Sequence, residues 1–131
     1  LNLAQENAAN LEVEEQLEFK AGDLLEPLQT EVDIIVSNPP YIPSEQMADL
    51  QPEVQQEPKL ALDGGQDGLD YYRKIINSAS DYLIGQGLLI FEVGIKQSQD
   101  VADLLNKSGY SNIQIKKDYS DIERVVMANS N

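Results

Sequence analysis

Val32-Asp33-Ile34-Ile35-Val36-Ser37-Asn38-Pro39-Pro40-Tyr41 is the stretch on which the fold turns. Its first half is dominated by β-branched apolar residues, a composition that predicts a parallel strand buried on both faces. The strand must stop at Asn38-Pro39-Pro40, because proline has no N–H to give a central ladder. In open α/β sheets, ligands bind beyond the carboxyl ends of the strands. Asn38 to Tyr41 therefore occupies a place where a site is expected.

Outward from this strand the elements alternate. Upstream, Leu3 to Asn10 reads as the end of a helix, Gln16 to Lys20 as a short strand, and Gly22-Asp23 as a turn. Downstream, Pro43 to Gln66 is a long polar connection of the kind that is often functional. Asp67 suits an N-cap, opening a helix to about Ile84. Along it Leu69, Tyr72, Ile76, Ala79 and Leu83 step by three and four, giving one apolar stripe. Gly85 and Gly87 are expected to end it before a buried strand over Leu88 to Val93. A helix from about Gln97 to Lys107, with Val101, Leu104 and Leu105 inward, stops at Gly109. Strands over Asn112 to Lys116 and Arg124 to Ala128 close the chain. The pattern is α/β, with a mainly parallel sheet and an antiparallel hairpin at one edge. No repeat or internal domain boundary is visible.

Composition narrows the chemistry. The chain has no histidine and no cysteine, which excludes Ser-His-Asp and Cys-His catalysis and His- or Cys-ligated zinc. Chemistry must run on carboxylates, amides, hydroxyls or backbone groups. The net charge of -14, with only nine basic residues, argues against broad contact with a phosphate backbone. No apolar run approaches the roughly 20 residues of a membrane-spanning helix. The N-terminal residues do not resemble a signal peptide, and the lack of cysteine fits a reducing cytoplasm.

Asn38-Pro39-Pro40-Tyr41 suits methylation of a planar nitrogen. The lone pair of an amide or aromatic amine is delocalised, so that nitrogen is a poor nucleophile. Two acceptors, the Asn38 side-chain oxygen and the Pro39 carbonyl, would hold its hydrogens and orient it toward a methyl donor. The prolines stiffen the backbone that aims the carbonyl, and Tyr41 offers a flat face. Asn and Pro are also ordinary turn residues, so strand context carries much of the argument. Asp23 at a strand end would accept a hydrogen bond from an adenine amino group with Leu24 packed on the ring, although Gly-Asp is equally an ordinary turn. The acidic Asp63, Asp67 and Asp70 lack the calcium-loop spacing, and no metal is expected. Glu92 either faces the site from a strand end or pairs with a residue such as Arg124.

Together these residues resemble the HemK/PrmC family, the peptide chain release factor glutamine methyltransferases. The resemblance runs through Ile35 to Pro43, Leu50-Gln51-Pro52-Glu53-Val54, Glu57-Pro58, Ala61 to Gly65, Asp67-Gly68-Leu69 and Tyr72. It continues in Phe91-Glu92-Val93-Gly94, Asp118-Tyr119 and Glu123-Arg124-Val125. It implies a class I (Rossmann-like) methyltransferase fold and S-adenosyl-L-methionine as methyl donor. The implied acceptor is the side-chain amide of the glutamine in the Gly-Gly-Gln motif of release factors. Asn38, Pro39, Pro40 and Tyr41 would be catalytic and substrate-binding, with Glu57 and Pro58 lining the approach of the substrate loop. Asp23, Leu24 and Asn38 would face the cofactor. Gln56 departs from the aromatic usual before Glu-Pro.

No glycine-rich cofactor loop precedes Gly22, so residues 1–131 are expected to be the C-terminal part of a catalytic domain truncated at its N-terminus. Such a piece should bind cofactor poorly and be inactive by itself. Its Val32–Ser37 strand should form an exposed apolar edge that invites self-association. Two other readings share the motif: a DNA or RNA adenine amino-methyltransferase, and a non-catalytic methyltransferase-like binding module. The first calls for a basic groove that the composition does not offer.

Overall fold

Chain order in the computed structural model, which describes residues 1–131, is α1 (Asn2–Asn10), β1 (Val32–Ser37), α2 (Asp70–Ala79), β2 (Leu83–Glu92), α3 (Ser98–Lys107), β3 (Ser111–Lys117) and β4 (Glu123–Asn129). These residues divide into two units, Leu1–Thr30 and Glu31–Asn131, and every strand lies in the second. β1 pairs in parallel with β2, with Ile35 opposite Leu89 and Ser37 opposite Phe91. β3 and β4 form the antiparallel hairpin expected from the sequence, and β4 also pairs antiparallel with β2. The resulting order is β1-β2-β4-β3, and because the closing hairpin pairs antiparallel with β2 the sheet is mixed rather than mainly parallel.

One sheet face carries the core. Its side chains Leu89, Phe91, Val126 and Ala128 are fully buried, together with Tyr72 of α2 and Val101 and Leu105 of α3. Tyr72 meets Phe91 edge-on, with ring centroids 5.3 Å apart, and its hydroxyl donates to the Glu92 carbonyl at 2.9 Å. Burial of a ring such as Phe91 contributes about 1.5–3 kcal/mol, so this pair anchors α2 to the end of β2. The stripe read from the sequence is the buried one: Leu69, Tyr72, Ile76, Ala79 and Leu83 are all inside. In α3, Val101 and Leu105 are buried and Leu104 is half-buried. Gly109, at φ +87, turns the chain out of α3 as expected.

Several expectations are corrected. β1 is not buried on both faces: Ile35 points into the core, while Ile34 and Val36 are 54% and 70% exposed. The reason is position, since β1 is the outermost strand and the opposite sheet face is only partly covered. The exposed apolar edge expected for this strand is therefore present. α2 is shorter than its apolar stripe suggests, running only from Asp70 to Ala79. Gly85 and Gly87 do not end a helix but sit inside β2, where the register jumps from Val32–Leu83 to Ile34–Leu88. The extra residues bulge out, with Gln86 at φ +66, and the C-terminus ties them down. Ser130 donates to the carbonyls of Ile84 and Gly87, and Asn129 to that of Gln86.

The first unit holds α1 and a single turn of 3-10 helix at Glu14–Gln16. No strand forms at Gln16 to Lys20. A strand exists only through ladder bonds to a neighbour, and no residue of this unit is in a ladder. α1 is nine residues long and buries only Ala8.

Candidate active site at the end of the first strand

The register of β1 on β2 decides where the site forms. Ser37 lies opposite Phe91, so the chain leaving β1 runs past the end of β2 at Glu92 to Gly94. Pro39 is buried, Pro40 and Tyr41 are half-buried, and Asn38 remains exposed. A polar side chain is thus presented from a backbone held on both sides.

What holds it is the segment Ala61 to Gly68. Ile42 N–H donates to the Leu62 carbonyl at 3.0 Å, and Gly64 N–H donates to the Ile42 carbonyl at 2.8 Å. These bonds form a short parallel bridge between Ile42 and Asp63. The glycines here serve close backbone approach. A Cβ on Gly64 would lie 2.8 Å from both the Pro40 oxygen and the Tyr41 Cα, and one on Gly68 would lie 2.3 Å from the Tyr41 oxygen. Gly68 also has φ +76, which side-chain-bearing residues rarely adopt.

Carboxylates lock the segment in turn. Asp63 accepts from the Ser44 hydroxyl at 2.7 Å and from Gly65 N–H at 3.0 Å. Those two donors, with Lys59 nearby, hold its carboxyl below the usual carboxylate range. Asp67 accepts from Leu69 N–H at 3.1 Å, turning the chain into α2 from three residues before the helix rather than as its N-cap. It also receives the Arg73 guanidinium, which donates to Asp70 at 3.1 Å. Arg73 therefore engages both acids, and it lowers the Asp67 pKa.

A concavity of about 290 Å³ lies along this loop. Asn38, Pro39, Pro40, Tyr41 and Glu57 line it, and Val54 and Leu62 supply apolar wall. Five of the residues singled out from the sequence are thus brought to one pocket. Pro58 is not among its lining residues; it is exposed one position further on. Asp23 and Leu24 lie in the first unit, in an exposed turn where Leu24 takes φ +45. Glu92 is exposed, and the carboxylate that pairs with Arg124 is Asp118, at 3.5 Å. Sequence reasoning quoted Val54 and Leu62 only for the resemblance and gave them no role in a pocket, and Gln97 read only as a helix start.

Comparison with known proteins gives the pocket its context. Residues 1–63, which include Asn38 to Tyr41, match the family model described as RMKL-like, methyltransferase domain. The release factor glutamine methyltransferase of Moorella thermoacetica is 43% identical over 130 residues, covering 98% of this chain and 46% of that protein. The enzyme of the same name from Geobacter sulfurreducens is 47% identical over 107 residues, 80% of this chain and 38% of its own length. The chain belongs to the release factor glutamine methyltransferase family. It spans about half the length of the curated relatives it matches.

Solved structures agree on the fold. A methyltransferase from Pyrococcus furiosus superposes with a TM-score of 0.56 at 17% identity, over 83% of this chain and 46% of that one. The release factor-specific protein-(glutamine-N5) methyltransferase of Alicyclobacillus acidocaldarius gives a TM-score of 0.50 at 28% identity, over 77% of this chain and 50% of that one. The architecture is that of a class I methyltransferase, and in this chain Asn38-Pro39-Pro40-Tyr41 follows the strand that pairs in parallel.

Proposed function

We propose that this chain carries the acceptor pocket of an S-adenosylmethionine-dependent methyltransferase acting on the glutamine amide of the Gly-Gly-Gln motif in peptide chain release factors. The observation that carries the reading is the meeting of Asn38, Pro39, Pro40, Tyr41 and Glu57 in one concavity beyond the carboxyl end of β1. Its size, about 290 Å³, lies near the lower bound for small-molecule pockets. It suits a single side chain and the reacting end of a donor, not a whole nucleoside. S-Adenosylmethionine, when bound, supplies an electrophilic methyl on a sulfonium and leaves as the thioether.

The chain's own residues orient the acceptor. The Asn38 oxygen and the Pro39 carbonyl accept the two amide hydrogens, which directs the nitrogen lone pair away from its own carbonyl. As the carbon–nitrogen bond forms, the nitrogen becomes more acidic, and these acceptors gain strength at that moment. One hydrogen then leaves to water. Tyr41 packs against the flat amide and Glu57 borders the entrance.

The same reading makes residues 1–131 part of a methyltransferase catalytic domain working in the cytoplasm, where release factors act. Its partner is a protein rather than nucleic acid. In the full-length gene product supplied with radiolabelled donor, a release factor should be labelled and oligonucleotides should not. Asn38→Ala should lower kcat by about 100-fold or more, the loss expected when one aligned polar contact to the reacting group is removed. Labelled nucleic acid would sink the proposal.

A further inference from the structure

Three backbone segments around the site converge on one side chain that the proposed chemistry does not use directly. Gln97, just before α3, donates from Nε2 to the Tyr41 carbonyl at 2.9 Å and to the Gly68 carbonyl at 3.4 Å. Its Oε1 accepts from Gly94 N–H at 3.1 Å. A primary amide has two N–H donors and one carbonyl acceptor, and here each faces its complement. That pattern also fixes which way the amide is turned.

The slot is built for this group. A Cβ on Gly94 would lie 2.5 Å from Oε1 and 2.9 Å from the Tyr41 ring, and one on Gly68 would lie 2.6 Å from Nε2. Two glycines therefore leave room for the amide between the loop and the end of β2. Gln97 is held from its own side as well, since its N–H donates to the Gly94 carbonyl at 3.2 Å.

We propose that Gln97 is a positioning residue that locks Asn38-Pro39-Pro40-Tyr41 in its methyl-transfer conformation by clamping the Tyr41 carbonyl to the end of β2. Proline rings fix φ at positions 39 and 40 and leave ψ free. Downstream, the Tyr41 carbonyl is held by Gln97 and the Ile42 N–H by Leu62. The peptide plane after Tyr41 is thereby fixed, and with it the direction in which the chain returns through Pro40 to the Pro39 carbonyl. The kinetic part of this proposal rests on the function proposed above; the conformational part does not.

Three substitutions separate the contributions. Gln97→Glu keeps an acceptor for Gly94 but turns oxygens on two carbonyls. Gln97→Met keeps the length and removes every side-chain hydrogen bond. Gln97→Asn keeps the chemistry one methylene short. In the full-length gene product acting on a Gly-Gly-Gln peptide, Q97E and Q97M should lower kcat by about 100-fold, as a small misplacement of reacting groups does, with KM little changed. Q97N should fall between them and wild type. In 1H–15N spectra the Asn38, Tyr41 and Ile42 amides should be single in wild type and should broaden or split in Q97E and Q97M, while the sheet residues keep their dispersion.

Unchanged kcat, or Tyr41 and Ile42 signals that stay single and unshifted, overturns the clamp. So does a loss of kcat that merely tracks global loss of dispersion, which would make Gln97 a general stability residue. Should Q97M fail to fold, Q97E carries the test. Wild-type protein that methylates no Gly-Gly-Gln substrate defeats the proposed function, and the spectra still decide the conformational claim.

Discussion

The role proposed for Asn38 depends on neighbours that are held in place, and the means of holding them differ residue by residue. Gly68 contributes by lacking a side chain: Gly68→Ala would place a methyl 2.3 Å from the Tyr41 oxygen at φ +76. A strained backbone position of this kind costs about 1–3 kcal/mol, so the variant should unfold at a clearly lower temperature. Gly85→Ala is the control, since a Cβ there meets nothing within 4 Å, and its melting should match wild type. Asp63 contributes by charge. Its pKa is lowered in the folded chain by Ser44 and Gly65, so its stabilising effect is present above the ordinary value of 3.8 and lost as pH falls below it. Proteolysis of the 44–65 loop should therefore rise on acidification below about pH 4, and Ser44→Ala should weaken that dependence. Cleavage that ignores pH in wild type would remove Asp63 from the account. The sequence marked Asn38-Pro39-Pro40-Tyr41 as a candidate site, because residue type and strand context are both local. It did not show Gln97 as its clamp, because that contact spans 56 positions and leaves no periodic trace.

Elements were legible where one face repeats. The stripe through α2 and the inward Val101 and Leu105 of α3 follow from apolar spacing, and the closing hairpin follows from the short link between its strands. The failures have a common cause, which is that a strand is defined by its neighbours. Gln16 to Lys20 has a suitable composition and no ladder, while Gly85-Gln86-Gly87 reads as a stop and is a bulge made tolerable by Ser130 and Asn129. β1 looked doubly buried because its residues are apolar, yet its burial depends on what lies beside it. As the outermost strand it presents Ile34 and Val36 next to an unpaired ladder edge. Such edges template pairing with another chain. Residues 1–131 should accordingly associate as concentration rises, and Val36→Lys should suppress this with little cost to folding, since the side chain is already 70% exposed. Sedimentation velocity over a concentration series distinguishes the cases, and a wild type that remains monomeric throughout would show the edge to be harmless.

At the scale of the whole molecule, charge is the property that separates the possible acceptors. Nine basic residues against 23 acidic ones give -14, and the pocket itself brings Glu57 beside Asn38. The motif chemistry alone would serve an adenine amino group as readily as a glutamine amide, since both are planar nitrogens with two hydrogens to hold. Nucleic-acid binding, however, gains its affinity by releasing counterions from phosphates that Lys and Arg neutralise, and it weakens steeply as salt is added. This chain has few such groups to offer, and Arg73 and Arg124 are already occupied by Asp67, Asp70 and Asp118. A protein acceptor needs no such neutralisation and can use the acidic surface if its own loop is basic. Fluorescence anisotropy with a labelled duplex and a labelled single strand should therefore show no binding to residues 1–131 even at low ionic strength. A salt-sensitive complex would instead show that the acidic surface does not exclude phosphate backbones, and would return the adenine reading to equal standing.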